Sequence, residues 1–210
     1  MDSIKLIKAQ WPPNVMAKVP YLSEVIDVPE GVEVNVEGGE LNYRITVKGP
    51  LGSVVKEFKG LPVLVSLRDG KVLVEGFALD RKSKSTVFTV AGHIRNMIIG
   101  VTKGWRYKLK VVYAHFPISV KVQGGSIVIE NFLGRRSKIT LQIPQGVKVQ
   151  VAKDDIIVEG IDKELVSQFA ANIELATTLR GKNRPSPHGR ESAPGILDGI
   201  YVYASENIKQ

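Results

Sequence analysis

One order of apolar patterns runs twice through this chain, and that repetition restricts the fold more than any other feature. Val32, Val34 and Val36 alternate with Glu33, Asn35 and Glu37 ahead of Gly38-Gly39. A period of two predicts a half-buried strand with an acidic outer face, and the glycine pair predicts a turn. Leu41, Tyr43, Ile45 and Val47 predict a second alternating strand, ended by Gly49-Pro50-Leu51-Gly52. Short strands follow over 54–58, 63–67 and 72–74, with Arg68-Asp69-Gly70 as a hairpin-type turn between the last two. Past Gly76 the period changes. Val87, Val90, Ala91, Ile94, Ile98 and Val101 recur at three- and four-residue spacing and make one apolar helical stripe. Asp80 or Ser83 can cap its start, and Gly100 and Gly104 fall near its end, where left-handed geometry is common. Residues 106–113 alternate again, Tyr107, Leu109, Val111 and Tyr113 against Arg106, Lys108 and Lys110, which gives this strand a cationic face.

The same order then returns. Ile118, Val120 and Val122 alternate before Gly124-Gly125, as Val32 to Val36 do before Gly38-Gly39. Residues 127–129 precede Asn131-Phe132-Leu133-Gly134, and strands are expected over 139–143, 147–151 and 156–160. A helix follows Asp162, with Leu165, Val166, Phe169, Ile173 and Ala176 on one face, and a last strand over 200–203 answers the one at 107–112. The repeat period is too long for a solenoid, so this is a tandem duplication. The fold class is α+β, a β-sheet unit with one packed helix in each domain. The expected division is an extended N-terminal arm over 1–24 with room for a short helix, a first repeat over 25–114, a second over 115–204, and a tail over 205–210.

The two copies differ between helix and last strand. The first has the short link Thr102-Lys103-Gly104-Trp105, whereas the second has a long basic loop over 180–197. Arg180, Lys182, Arg184, His188 and Arg190 all precede its first acid, Glu191, among several prolines and glycines. Loops of this length are usually functional or disordered, and fixed cations on one suit a polyanion. Too few apolar residues are present to offset the entropy of ordering it, so the loop is expected to be disordered in the free protein. The net charge of the 210-residue chain is +8, which points to nucleic acid first and an acidic membrane surface second. Arg135, Arg136 and Lys138 form a second candidate patch, and Lys103, Trp105 and Arg106 a third, where an aromatic could stack on a base.

Other chemistry finds little support. There is no cysteine, so disulfides and thiolate metal sites are excluded. Residues 1–10 lack the apolar core of a secretory signal, and no run is long enough to span a bilayer. His93, His115 and His188 are scattered and make no site; the first two read as packed structural imidazoles. Gly49-Pro50-Leu51-Gly52-Ser53 lacks the lysine a phosphate-binding loop needs, and Asp154-Asp155 reads as a hairpin turn and not a metal site. No acid–base or nucleophile constellation suggests an enzyme, and no cofactor, metal or small-molecule substrate is expected. The alternative to RNA binding is a protein–protein adaptor working through exposed edge strands.

Several separated blocks resemble a known family. The run His93-Ile94-Arg95-Asn96-Met97-Ile98-Ile99-Gly100-Val101-Thr102-Lys103-Gly104 is one. Tyr107-Lys108, then Val112-Tyr113-Ala114-His115-Phe116-Pro117-Ile118, is another. Asn131-Phe132-Leu133-Gly134, Ala176-Thr177-Thr178 and Asp198-Gly199-Ile200-Tyr201-Val202 complete the set. Together they resemble ribosomal protein family six of the large subunit, in its archaeal and eukaryotic form, across about residues 4–203. The resemblance implies a cytoplasmic, non-enzymatic protein of the large ribosomal subunit that supports translation. It implies binding to 23S-type rRNA, chiefly through the second domain, near the sarcin–ricin loop and the translation-factor site. It also implies neighbouring proteins near the stalk base. One departure is the loop over 180–197, expanded with Pro and Gly relative to the family's shorter basic segment.

Overall fold

Alternating apolar residues form thirteen strands, and the two helical stripes form two α-helices, in a computed structural model that describes residues 19–39, 41–79, 81–114, 116–178 and 198–209. The chain divides into two units, Met1–Val101 and Thr102–Gln210.

The first unit holds β1 (Val19–Asp27), β2 (Glu33–Gly39), β3 (Asn42–Gly49), β4 (Gly52–Phe58), β5 (Leu64–Arg68), β6 (Lys71–Leu79) and α1 (Arg81–Thr102). They make two antiparallel three-stranded sheets, in the orders β2-β3-β4 and β1-β6-β5. Tyr43, Ile45 and Val47 of β3 are buried, with Val72 and Val74 of β6 and Val87, Val90, Ala91, Ile94 and Val101 of the helix. The helical stripe is therefore the one its spacing predicts. Ser83 lies inside α1 and cannot be its cap, while Asp80 lies outside the described residues. Gly100 is helical too, and it is Gly104 that takes the left-handed position past the helix end, with φ 74°.

Two expectations about this unit change. The arm expected over 1–24 gives way to a strand from Val19, because Ile26 is buried opposite Val72 and the pairing runs back to Val19 opposite Leu79. The register passes over Pro20, which has no N–H to donate and is tolerated because β1 is the edge of its sheet among the described residues. Residues 1–18, with the short helix expected there, lie outside the described residues. Gly38 and Gly39 do not form the turn. They pair with Tyr43 and Asn42 as the end of β2, and the reversal comes after Gly39. The turn at Asp69-Gly70 is as expected. Both residues have positive φ, 50° and 72°, the geometry whose twist matches a two-residue hairpin.

The second unit holds β7 (Trp105–Val112), β8 (Ser119–Gln123), β9 (Ser126–Glu130), a 3₁₀ turn (Phe132–Gly134), β10 (Ile139–Gln142), β11 (Val147–Ala152), β12 (Asp155–Gly160), α2 (Lys163–Ala176) and β13 (Gly199–Asn207). Its sheets run β10-β9-β8 and β11-β12-β7-β13. The core gathers Leu109, Val111, Ile127, Ile129, Ile156, Val158 and Ile200 with Val166, Phe169, Ala170 and Ile173 of α2. Asp162 caps that helix, its side chain accepting from the Glu164 N–H at 2.9 Å. Leu165, expected on the buried face, is instead 43% exposed. The stripe is set by 166, 169, 170 and 173, and the position before Val166 points away from it.

The largest correction concerns β7. The sequence pattern assigns 107–112 to the first repeat as its closing strand. In the structure β7 pairs with β12 on one side and β13 on the other, inside the second unit. Leu109 lies opposite Ile156 and Val202, and Val111 opposite Ile200, so the inward face of β7 completes the second core. The division at 101/102 thus replaces the one expected at 114/115. The expected tail also shortens, since β13 continues to Asn207 along β7.

Candidate nucleic-acid interface

The cationic face of β7 is present, but acids on the neighbouring strands neutralise it. Register places Arg106 between Glu159 and Glu206, and Lys110 beside Asp155. Arg106 Nε donates to Glu159 Oε1 at 2.5 Å and its Nη1 to Glu206 Oε1 at 3.3 Å. Lys108 Nζ reaches Glu206 at 2.7 Å, and Lys110 Nζ reaches Asp155 at 3.1 Å. Glu159 raises the Arg106 pKa, while Lys108 first, then Arg106, holds the Glu206 carboxyl below its ordinary range. Arg106 is therefore an internal cross-strand tie. Its neighbour Trp105 is half-buried, with Lys163 Nζ 4.4 Å from the ring centroid, a cation–π contact that occupies a ring face. Lys103 is exposed, and its carbonyl accepts from the Lys209 N–H at 3.0 Å.

The patch after the 3₁₀ turn is different. Arg135 and Arg136 are exposed and form no ion pair among the described residues. Lys138 is not free. It shares Glu130 with Lys121, at 2.7 Å and 3.3 Å, and Lys138 first, then Lys121, lowers the Glu130 pKa. Two arginines thus remain with unbalanced charge where the sequence offers three cations. The turn that presents them is strained. Asn131 and Leu133 have φ of 60° and 55°, left-handed values that are unusual for non-glycine residues and costly for leucine. Phe132 is buried beneath the turn and Leu133 packs on the same core, which holds the geometry. Asn131 Nδ2 donates to the Pro117 carbonyl at 3.0 Å and ties the turn to the segment before β8.

In that segment lies a residue that the sequence reading quotes within a family-like block and assigns to no site. Phe116 is 47% exposed, and a Cβ built on Gly134 would sit 3.0 Å from its ring. One side of the ring therefore lies against a glycine backbone. His115-Phe116-Pro117 carries no periodic signal and falls at the expected boundary between the repeats, so no local pattern marks this packing.

Arg180, Lys182, Arg184, His188 and Arg190 lie outside the described residues. The elements on either side of their loop are tied together. Buried Thr177, at the end of α2, accepts from the Ile200 N–H at 2.9 Å through its hydroxyl, and Glu174 Oε2 accepts from the Val202 N–H at 2.9 Å. Asp198, also buried, accepts from the Ala114 N–H at 2.7 Å. His93, on α1, has Nδ1 3.0 Å from Lys56 Nζ and its ring 5.9 Å from Phe58, a packed imidazole. His115 lies outside the described residues. Lys153-Asp154 forms the β11–β12 turn, and the Asp154 carbonyl accepts from the Val111 N–H at 2.8 Å. Among the described residues no helix is long and apolar enough to cross a membrane.

The family model described as ribosomal protein L6 matches the chain twice, over residues 28–104 and 116–184. The two matches reproduce the duplication. A protein of Pyrobaculum aerophilum named large ribosomal subunit protein uL6 is 56% identical over 194 residues, covering 91% of this chain and 99% of its own length. Proteins of the same name from Aeropyrum pernix and Ignicoccus hospitalis are each 47% identical, covering 92% and 91% of this chain and 100% and 98% of their own.

Proposed function

The chain belongs to the ribosomal protein L6 family, whose members are structural and not enzymes, and from that premise we propose that it binds and braces 23S-type rRNA in the large ribosomal subunit. Its place there is near the sarcin–ricin loop and the translation-factor site, beside neighbouring proteins of the stalk base, and the setting is cytoplasmic. The observation that carries this reading is the sorting of cations in the second unit. Arg106, Lys108, Lys110 and Lys138 are matched to acids, whereas Arg135 and Arg136 are exposed on a strained turn. A guanidinium donates bidentately to a phosphate, and each phosphate so neutralised releases condensed counterions. Arg180, Lys182, Arg184, His188 and Arg190 add cations on the 180–197 loop, whose flanks are cross-tied through Thr177 and Glu174. Lys103 is a further exposed cation, and Lys163 leaves Trp105 at most one ring face for stacking. Binding of this kind reads RNA shape more than base sequence.

The test is binding to a transcript of the last 23S-type rRNA domain, against a scrambled RNA of equal length, across a salt series. The intact chain is expected to prefer the native transcript. Replacing Arg180, Lys182, Arg184 and Arg190 with Ala, or Arg135 and Arg136 with Ala, is expected to make the salt slope shallower. The expected change is roughly one for each phosphate that no longer has its cation. Equal binding to both RNAs would reduce the charge to a non-specific attraction and sink the proposal.

A further inference from the structure

We propose that Phe116 is a stacking platform for one unpaired rRNA base, a site that rests on the RNA-binding reading above and gives it a specific ligand feature. Three observations meet there. Phe116 is exposed, yet its position is fixed from beneath, because a Cβ on Gly134 would come within 3.0 to 3.2 Å of three ring atoms. Gly134 has φ 69°, so the position is doubly reserved for glycine, by backbone conformation and by the ring above it. The ring has no aromatic partner among the described residues, so its outer side is not taken by another ring.

The second observation is backbone strain. Leu133 is left-handed at φ 55°, ψ 34°, directly before the glycine that supports the ring. Such strain persists only where the surroundings impose it, and it clusters at binding and catalytic sites. Here the buried Phe132 and the Asn131–Pro117 hydrogen bond impose it, joining the ring's segment to the turn. The third observation is charge. Arg135 and Arg136 follow the turn at once, both exposed and both without an acid partner among the described residues. An apolar ring against a turn that is followed directly by two unpaired arginines suits a nucleotide, whose base stacks while its phosphates pair. An apolar protein partner would leave the arginines unmatched. RNA recognition favours loops and bulges, where bases are free to stack on aromatic side chains.

The experiment uses the full chain and the transcript of the last 23S-type rRNA domain. Phe116→Leu is expected to weaken binding about tenfold while leaving the salt slope unchanged, since every cation keeps its phosphate. Phe116→Trp is expected to bind at least as well as the original chain. Ultraviolet cross-linking of the unmodified chain to the transcript, read by mass spectrometry, is expected to place a nucleotide on the peptide containing residue 116. That readout stands even if Phe116→Leu folds poorly. Full affinity in Phe116→Leu, or cross-links elsewhere with none at 116, would overturn the platform while leaving the RNA-binding reading intact. Failure of the unmodified chain to prefer the transcript would overturn both. Phe116→Leu that binds naked RNA normally but joins the large subunit poorly would overturn the platform too, and assign the ring to a protein neighbour instead.

Discussion

β1 and β7 occupy matching places in the two units, yet among the described residues one is an edge and the other is interior. Each pairs with the second strand of a hairpin, β1 with β6 and β7 with β12. Among the described residues only β7 has a strand on its far side, because β13 returns to cover it. The consequences show in the residues. β1 exposes Tyr21 and Val25 and tolerates Pro20, as an edge can. β7 carries Arg106, Lys108 and Lys110 in a row and holds each with an acid from a neighbouring strand. What the difference teaches is that adding one strand to a duplicated fold did two things. It supplied Glu206, the acid that holds Lys108 and joins Glu159 on Arg106, and it anchored both flanks of the basic 180–197 loop in folded structure.

The comparison predicts first that the units can be damaged separately. Phe169→Ala removes the largest side chain that α2 buries and is expected to cost about 3–5 kcal/mol, with lower amide protection confined to β7–β13 and α2. Denaturant unfolding followed by hydrogen exchange measures this, and an equal fall of protection in β1–β6 would refute separate damage. Gly49→Ala attacks the other unit. A Cβ there would lie 2.6 Å from Val101 Cγ2 and 3.0 Å from the Val101 carbonyl oxygen. The cost is expected to be about 1–3 kcal/mol, confined to the first unit in the same exchange measurement. A smaller effect, about 1 kcal/mol, is expected from Asp162→Ala, which leaves the Glu164 N–H without its cap. The second unit's midpoint in denaturant reports it.

The smallest expected effects are pH-dependent, and both units have one. In the first, hydrogen bonds from Lys59 and then Arg44 lower the Glu57 pKa from 4.5 to about 2. In the second, Lys108 and then Arg106 lower that of Glu206. A carboxyl whose pKa falls on folding contributes stability above its unfolded value. That contribution disappears as pH drops through the folded value. Each unit is therefore expected to weaken progressively below about pH 4.5, the first down to about pH 2. Glu57→Gln should flatten the acid slope of the first unit alone, and Glu206→Gln that of the second alone. Thermal midpoints taken between about pH 2 and pH 7 would show it, and a slope unchanged in both variants would remove these pairs from the account.

Much of the fold is legible in the sequence because its signals are local. The alternation of Val32, Val34 and Val36, the spacing of Val87 to Val101, and Asp69-Gly70 each act within a few residues. The errors arise where distant residues decide. β7 follows α1 directly, so proximity in sequence assigns it to the first unit. Its true partners, β12 and β13, lie roughly 50 and 100 residues away, and no local pattern names them. The same reason governs the candidate interface. Lys138 reads as a free cation until Glu130 is placed beside it. Phe116 reads as part of the boundary between the repeats until Gly134 is placed beneath it. Leu165 is a local error: the buried stripe runs through Val166, Phe169, Ala170 and Ile173, and Leu165 falls at its margin, 43% exposed.

The far partner of β7 also sets an order of events in time. A chain made from its N-terminus has every strand and the helix of the first unit in hand by about residue 102. The second unit's sheet cannot close until β13, its last strand to be synthesised, arrives beside β7. Until then β7 offers an unpaired edge, Lys108 lacks its acid, and Arg106 has only Glu159, with Glu206 still a hundred positions downstream. The unit that carries the exposed arginines is thus the later one to mature, and interruption of synthesis before Gly199 leaves a finished first half attached to an open sheet.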